Sequence, residues 1–324
     1  MGKSNRTSAR QNRTFQKHGA TSLVILMICT VIACVWYYSH EPTPVVEKTL
    51  RFVSIVHRHG ERSPLHSYPL DPYNGESYWP EGLGALLKVG KVNMYGLGKF
   101  LRHRYNSFLS EIYKPKEIFV STLNTDRIII SGQLVLAGLY PPVGIQIWNT
   151  DLPWQPIPLH SVPTSCDDKQ QALDMPRWAR DIYPEKIKSI AEMEFMEFFK
   201  TPTTIKLQSG VFINEIVSNM NRKIDATKNF EHLLHLYPVS DRVIVRLWKG
   251  LNISQEITNK PNYGAALFIE LHEINNKYRV KILHKEGTLD DKLRTLKIRG
   301  CEDSHNLAED EMCDLEVFHR RWNP

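Results

Sequence analysis

Two arginines bracket a histidine in residues 58–64, which read Arg-His-Gly-Glu-Arg-Ser-Pro. A guanidinium is always charged and its planar donors match phosphate oxygens, so Arg58 and Arg62 can clamp one anion from two sides. Histidine is among the side chains that form covalent intermediates, and His59 lies between the two clamps. The segment therefore predicts a phosphoryl-transfer site with Arg58 and Arg62 as phosphate ligands and His59 as nucleophile.

The element that must position this segment is a strand. Residues 50–57 are mostly apolar and β-branched, which predicts a strand buried in an α/β sheet. The segment then leaves the sheet at its carboxyl end, where open α/β sheets bind their ligands. Gly60 permits a tight turn, and Pro64 limits how far the loop can flex.

A zinc site formed by His57, His59 and His66 is the alternative interpretation of the same residues. The flanking arginines would repel a cation. No cysteine or carboxylate has the spacing of a closed zinc site, which favours a phosphate at this position.

The full pattern Arg-His-Gly-x-Arg-x-Pro after a strand resembles the signature of the histidine acid phosphatases. The resemblance runs from about residue 50 to residue 318. It implies an α/β fold with a mixed, mostly parallel central sheet flanked by helices, and hydrolysis of phosphate monoesters. A mutase-type member of the wider histidine phosphatase group, which often has glutamate after Arg-His-Gly, is an alternative; Arg62 and Pro64 favour the acid phosphatases.

A third arginine follows a second predicted strand, residues 117–122. Thr125 or Asp126 can cap the apolar helix over residues 128–139, which would place Arg127 at the positive end of the helix dipole. In the family an arginine at this place binds the phosphate. The resemblance therefore implies that Arg127 is the third phosphate ligand.

The second motif of the family, a His-Asp pair at the end of a later strand, is altered in this chain. The matching residues 235–242 keep the strand, a tyrosine and Asp241, but Ser240 stands where the histidine belongs. Loss of one preorganised donor typically lowers the rate by about 10²–10³, and a serine hydroxyl replaces that phosphate contact only in part. The alternative is that Ser240 and Asp241 only cap a helix. The protein would then be weakly active or inactive and would bind a phosphorylated ligand or a protein partner.

The mechanism that these residues support has two steps. The arginines neutralise the phosphate, His59 forms a phosphohistidine, and Asp241 protonates the leaving alcohol and later activates water. No metal and no cofactor are needed, because the arginines supply the positive charge. An acid pH optimum follows, because Asp241 must be protonated in the first step.

The chain divides into four parts by composition and resemblance. We expect a basic cytoplasmic tail (1–20), a transmembrane helix (21–38), a short stalk (39–48) and a phosphatase domain (49–324). Within the domain, the α-helical cap of the family is shortened to a remnant at about 166–206, which should leave the site open and its specificity broad. Further strands are predicted at 145–148, 233–238, 264–271 and 278–284, the last two as an antiparallel edge, and further helices at 184–199 and 207–216.

Residues 21–38 contain no charge, end in Trp-Tyr-Tyr and follow five basic residues. This is typical of a type II signal anchor with the catalytic domain lumenal, in the lysosome or secretory pathway, or extracellular. A cleaved signal peptide with secretion is the alternative; the long basic leader and the lack of a small-x-small site argue against it. Asn252 begins a glycosylation sequon in the translocated part.

The net charge of +6 does not indicate nucleic acid binding, because the five basic residues before the anchor leave only about +1 for the rest. Small phosphomonoesters, the membrane and a second copy in a homodimer are the expected partners. Cys301 and Cys313 match a disulfide of the family, and a translocated domain favours that bond. Cys166 is left without an assigned partner.

Overall fold

The computed structural model describes residues 27–30, 48–66, 71–73, 77–162, 201–253, 260–288, 292–301 and 311–320. The chain forms two compact units, Met1–Val45 and Val46–Pro324. In the first unit only a helical turn at 27–30 is described, so most of the predicted membrane segment lies outside the described residues. Among the residues that are described, no helix is long and apolar enough to cross a membrane.

The second unit alternates strands and helices for most of its length. The strands are β1 (Leu50–Arg58), β2 (Ile118–Leu123), β3 (His160–Val162), β4 (Leu234–Val239), β5 (Ala266–Ile274), β6 (Lys277–Lys285), β7 (Arg294–Leu296) and β8 (Cys313–Asp314). The helices are α1 (Lys88–Arg104), α2 (Asp126–Leu139), α3 (Pro202–Ile224), α4 (Asp241–Gly250) and α5 (Leu315–Arg320).

The described strands form one mixed sheet in the order β3-β2-β4-β1-β5-β6-β7, with β8 paired to β6. The strands β3, β2, β4 and β1 run parallel to their neighbours, whereas every pairing from β1 to β5 onward is antiparallel. The predicted α/β sheet flanked by helices is confirmed, as is the antiparallel pairing of its closing strands. The strand β1 is therefore central, with a parallel neighbour on one side and an antiparallel one on the other.

Helices cover both faces of the sheet, which explains why β1 and β4 read as nearly continuous apolar runs. One core cluster joins the sheet to α3 and α4, with Trp248 and Met220 fully buried in it. The other joins the sheet to α1 and α2 around Met94 and Tyr105. The helix α3 begins at a regular cap, where the Thr201 side chain accepts a hydrogen bond from the Thr204 amide and proline follows at the first position.

The predicted strand at 145–148 is wrong. Gly144–Gln146 forms a 3-10 helix, and Ile145 is 93% exposed. The Gln146 side chain bonds the backbone of Tyr113 in both directions, at 3.0 and 2.8 Å, and this holds the segment off the sheet. The short strand β3 pairs with β2 instead.

The cap prediction falls mostly on residues that the structure does not describe. Residues 163–200, including the predicted helix at 184–199 and Cys166, lie outside the described ranges. The predicted helix at 207–216 is confirmed as part of α3, which is longer at both ends.

Candidate active site

The histidine of the arginine-flanked segment is held by both neighbours of β1. The His59 amide donates to the Val239 carbonyl at the end of β4 (3.2 Å), and the His59 carbonyl accepts from the Gly264 amide (3.3 Å). The Arg58 amide donates to the Ala265 carbonyl at 2.8 Å. The segment therefore begins as an extension of the sheet, with its backbone fixed on two sides.

The turn after His59 packs directly on the first turn of α1. A β-carbon at Gly60 would lie 2.7 Å from the Gly90 carbonyl oxygen, and one at Gly90 would lie 2.3 Å from the Glu61 carbonyl oxygen. Only glycine fits at either position, since the two backbones touch. This close approach fixes the height of the turn above the helix.

The His59 ring is oriented for attack through one nitrogen. Its Nδ1 bonds the Gly60 carbonyl at 2.8 Å, and a carbonyl only accepts, so Nδ1 carries the proton and the lone pair is on Nε2. Burial lowers the pKa of His59 to about 3. The bond to Gly60 and the charge of Asp241 raise this pKa, whereas the charges of Arg58 and Arg127 lower it further. The imidazole is therefore a neutral nucleophile even in acidic solution.

The Arg58 guanidinium is locked by three contacts. One nitrogen, Nη1, donates to the Pro261 carbonyl at 2.6 Å, and Nη2 pairs with Asp241 Oδ2 at 2.8 Å. The Tyr263 ring stacks on the group, with its centroid 4.0 Å from the guanidinium carbon. A cation on an aromatic face is attracted by the ring quadrupole, so Tyr263 fixes the plane of the fork.

Asp241 is the first residue of α4 and lies at the positive end of its dipole. Its Oδ1 accepts from the Arg242 amide at 2.9 Å, and its Oδ2 faces both Arg58 and Lys260, the latter at 3.6 Å. Burial opposes ionisation, but Arg58, Lys260 and His59 together hold the pKa of Asp241 below its ordinary value. With these partners Asp241 is thus a carboxylate.

Arg127 is tied to the turn through one hydroxyl. The Ser131 side chain donates to the Arg127 carbonyl at 2.6 Å and accepts from the Gly60 amide at 3.2 Å. Arg127 lies in the first turn of α2, and its charge contributes to the lowered pKa of His59. The predicted third arginine is therefore next to the nucleophile.

Arg62 and Ser240 lie at the border of the site. The Arg62 side chain is half-buried, donates to the Ser63 carbonyl at 2.9 Å, and sits on a backbone bridge to Leu86. Ser240 occupies the N-cap position of α4, but its side chain makes no capping hydrogen bond to that helix. Capping of α4 through its hydroxyl therefore does not explain this serine.

The structure gathers His59, Arg58, Asp241 and Arg127 into one cluster at the carboxyl end of β1. The structure does not support a zinc site formed by His57, His59 and His66. His57 is buried and bonds the Arg58 carbonyl through Nδ1, whereas His66 is exposed. Among the described residues, no three His, Cys, Asp or Glu side chains are placed to hold a metal ion.

Sequence reasoning missed the loop before β5, which supplies Lys260, the Pro261 carbonyl and Tyr263. These residues follow the motif by about 200 positions, as the contact between Arg58 and Pro261 illustrates. One signal could have found them. Residues just before an antiparallel neighbour of β1 must lie beside the end of β1.

Comparison with known proteins relates the part of this cluster that carries Arg58, His59 and Arg127 to a family. The model of the histidine phosphatase superfamily (branch 2) matches residues 49–196. Residues 49–196 are therefore similar to a domain of this branch of the histidine phosphatases. The resemblance to the family is thereby confirmed. The prostatic acid phosphatase of Bos taurus is 29% identical over 343 residues, covering 85% of this chain and 87% of that protein.

Similarity to a lysosomal acid phosphatase is higher over a shorter stretch. The lysosomal acid phosphatase of Xenopus laevis is 50% identical over 120 residues, which are 37% of this chain and 28% of that protein. Among solved structures, the phytase from Citrobacter braakii superposes with a TM-score of 0.52 at 15% identity, covering 85% of this chain and 97% of that one. At this identity the phytase supports the fold alone.

Two further predictions concern single sites. The disulfide between Cys301 and Cys313 is confirmed, with a Cα–Cα distance of 5.2 Å, and it links the chain after β7 to β8. Asn252 follows α4 with its backbone in the left-handed region (φ 56°) and is half-buried. Its glycosylation stays a prediction.

Proposed function

We propose that the protein is an acid phosphatase that hydrolyses small phosphate monoesters through a phosphohistidine on His59. The observation that carries the proposal is the tautomer of His59. A buried neutral imidazole has its lone pair on Nε2, with Arg58, Arg127 and Asp241 close enough to act on its charge. The named acid phosphatases among the relatives support the same reaction class.

In the first step the arginines bind the phosphoryl oxygens and His59 Nε2 attacks phosphorus in line with the leaving alcohol. The N–P bond forms, the P–O bond to the alcohol breaks, and Asp241 gives the departing oxygen a proton. In the second step Asp241 takes a proton from water, the water oxygen bonds to phosphorus, and the N–P bond breaks. Phosphate leaves and His59 returns to its neutral form.

The ion pair between Arg58 and Asp241 bears on how Asp241 becomes an acid. A bound phosphate competes for the Arg58 guanidinium and places negative charge beside the carboxylate. Both effects raise the pKa of Asp241, because a like charge and the loss of a cation each disfavour its ionised form. Substrate binding at acid pH thus loads Asp241 with the proton that the first step consumes.

The decisive experiment follows hydrolysis of p-nitrophenyl phosphate at about pH 5 by the full-length chain and by His59→Ala. The His59→Ala variant should lose essentially all turnover, because the nucleophile is gone. His103→Ala is the matched control, since His103 is exposed on α1, and it should keep the wild-type rate.

A rapid acid-free quench with labelled substrate tests the intermediate. Label should appear on His59 in a base-stable, acid-labile linkage, as a phosphoramidate requires. Equal rates in the wild-type and His59→Ala proteins would remove the proposal. Label on a serine would move the nucleophile elsewhere.

We further propose that the domain is translocated and resides in the lysosome or secretory pathway, held by a membrane anchor at residues 21–38. The names of the lysosomal and prostatic relatives fit such a compartment, and the disulfide suits an oxidising one. Carbonate extraction of membranes from expressing cells should leave the protein in the pellet. Release into the supernatant would contradict the anchor.

A further inference from the structure

Lys260 lies at the mouth of the site, beside the carboxylate assigned as the general acid. Its Nζ is 3.6 Å from Asp241 Oδ2, the same oxygen that Arg58 Nη2 contacts at 2.8 Å. The two cations differ in exposure: the Lys260 side chain is 42% exposed and that of Arg58 only 6%. Lys260 therefore reaches the site from the solvent side, whereas Arg58 reaches it from the core.

The loop that carries Lys260 is a fixed wall of the site. Its Pro261 carbonyl accepts from Arg58 and its Tyr263 ring stacks on the same guanidinium. Its last residue, Gly264, donates to the His59 carbonyl. Since three successive contacts bind this loop to the nucleophile's own strand, the base of the Lys260 side chain has a defined position relative to His59.

Carboxylates already neutralise part of the positive charge of the site, so a further cation would add to its attraction for phosphate. Arg58 is already opposed by Asp241, and Ser240, the residue before it, is neutral. Arg62 and Arg127 add positive charge, whereas Glu61 is a second carboxylate whose charge acts on Arg58. A phosphate dianion entering this site therefore meets fewer uncompensated cations than the three arginines suggest.

We propose that Lys260 is a further phosphate-binding residue, whose ammonium contacts a phosphoryl oxygen and supplies the charged donor that Ser240 cannot. The inference rests on the proposed function for the identity of the ligand. The flexible stem of lysine allows its ammonium to turn from the carboxylate to the phosphate. When Lys260 turns to the ligand and the phosphate competes with Asp241 for Arg58, both compensating charges of Asp241 are weakened, which favours its protonation.

The Lys260–Asp241 pair differs from an ordinary surface ion pair in the exposure of its carboxylate. Lys116 pairs with Glu231 at 2.9 Å near the amino ends of the strands, and both side chains are largely exposed, at 74% and 45%. Asp241 is only 17% exposed and shares its oxygen with a buried arginine. Lys116 is therefore the matched control for Lys260.

The experiment measures binding of inorganic phosphate by calorimetry, and turnover of p-nitrophenyl phosphate, in the full-length chain at about pH 5. A hydrogen bond to a charged group corresponds to about 10- to 100-fold in affinity, so Lys260→Gln should raise the phosphate Kd by about that factor. Lys260→Arg should stay within about threefold of the wild type, since it keeps the charge. Lys116→Gln should change neither quantity, and equal thermal unfolding of all variants verifies their folding.

A double-mutant cycle with Ser240→His tests the link between the two positions. If Lys260 supplies what the serine lacks, the loss caused by Lys260→Gln should fall below about threefold once histidine is restored, because coupled neighbours are not additive. Equal losses in both backgrounds would contradict that link.

The outcomes for the two proposals are distinct. Wild-type turnover with an unchanged phosphate Kd in Lys260→Gln removes the role of Lys260 and leaves the phosphatase standing. Phosphate binding that depends on Lys260 without any turnover supports Lys260 and removes the phosphatase. A wild-type chain that neither binds phosphate nor turns over substrate removes both.

Discussion

Two arginine–carboxylate pairs, each with one buried and one partly buried side chain, occupy different parts of the domain. In the site, Arg58 meets Asp241 at 2.8 Å, at the carboxyl end of β1. On the α1 side of the sheet, Arg104 at the end of α1 meets Glu270 in β5, also at 2.8 Å. The N–O distances of the two pairs are equal, but their surroundings differ. These surroundings decide what each carboxylate can do.

Glu270 is fully enclosed by donors. Besides Arg104 it accepts from the Tyr105 hydroxyl at 2.6 Å and lies 3.4 Å from His272 Nε2, whose other ring nitrogen bonds Thr49. Burial by itself would raise the pKa of Glu270, but His272, Arg104 and Tyr105 lower it to about 2. Such a carboxylate is ionised at neutral and mildly acidic pH and joins α1 to the sheet.

Asp241 has fewer fixed partners and more contact with solvent. One of its cations, Lys260, is half-exposed, and the other, Arg58, is suited to bind a phosphate. A ligand can therefore remove its compensating charges, which no ligand can do for Glu270. A buried ion pair thus becomes chemically useful when one of its members has a second possible partner.

The largest effect on activity is expected when the Arg58–Asp241 pair is broken. Asp241→Asn should lower kcat by about 10²–10⁴, because the general acid is lost. Its free energy of unfolding should change by only about 1 kcal/mol, since Arg58 keeps Pro261 and Tyr263. Steady-state kinetics and urea unfolding measure the two quantities. A near-normal kcat would reassign the acid.

Breaking the Arg104–Glu270 pair should instead lower the stability of the fold. Glu270→Ala leaves Arg104 unpaired and removes the acceptor of Tyr105, so the free energy of unfolding should fall by about 3–5 kcal/mol. Urea unfolding at about pH 7 measures the loss. A fall below about 1 kcal/mol would show that the cluster is not structural.

The pH dependence of stability tests the ionised state of Glu270. The pKa of Glu270 is about 2 in the folded protein against an ordinary 4.5, so its contribution is fully present above pH 4.5 and is lost as the pH falls toward 2. The contribution is about 3 kcal/mol at neutral pH. The stability difference between the wild type and Glu270→Gln should therefore shrink as the pH falls from about 4.5 to about 2. A constant difference would contradict the lowered pKa.

The smallest effect concerns one hydrogen bond. Tyr105→Phe removes the hydroxyl that donates to Glu270, and bonds to charged groups are worth about 1.5–3 kcal/mol. Urea unfolding should show a loss near the lower limit, because Arg104 and His272 stay in place. Tyr95→Phe, at an exposed position on α1, is the control and should change little.

Local patterns in the sequence predicted much of this fold. Strand β1, the apolar helix after Arg127 and the closing antiparallel strands follow from periodicity that each segment carries alone. The segment at 145–148 is similarly apolar, but it turns away from the sheet. The turn is set by Gly144, with φ +53°, and by the hydrogen bonds of the Gln146 side chain. Short apolar runs do not reveal which element they join.

The candidate site was predictable where a motif is contiguous, as for Arg58, His59 and Arg62. Lys260 and Tyr263 were not, because their proximity to His59 depends on the pairing of β1 with β5. The ionised state of Asp241 was not predictable either, since it depends on which cations the fold brings to one oxygen. Charge states are properties of the packed site, whereas residue types belong to the sequence.

The central place of β1 has a consequence for the protein's internal motions. Its amides from Val53 to Arg58 lie between β4 and β5, in the region where helices cover both faces. Such amides exchange with solvent only when the domain opens as a whole, so their protection should approach that of global unfolding. The nucleophile would then be attached to the slowest-exchanging segment of the domain, and local fluctuations at the rim would leave its alignment unchanged.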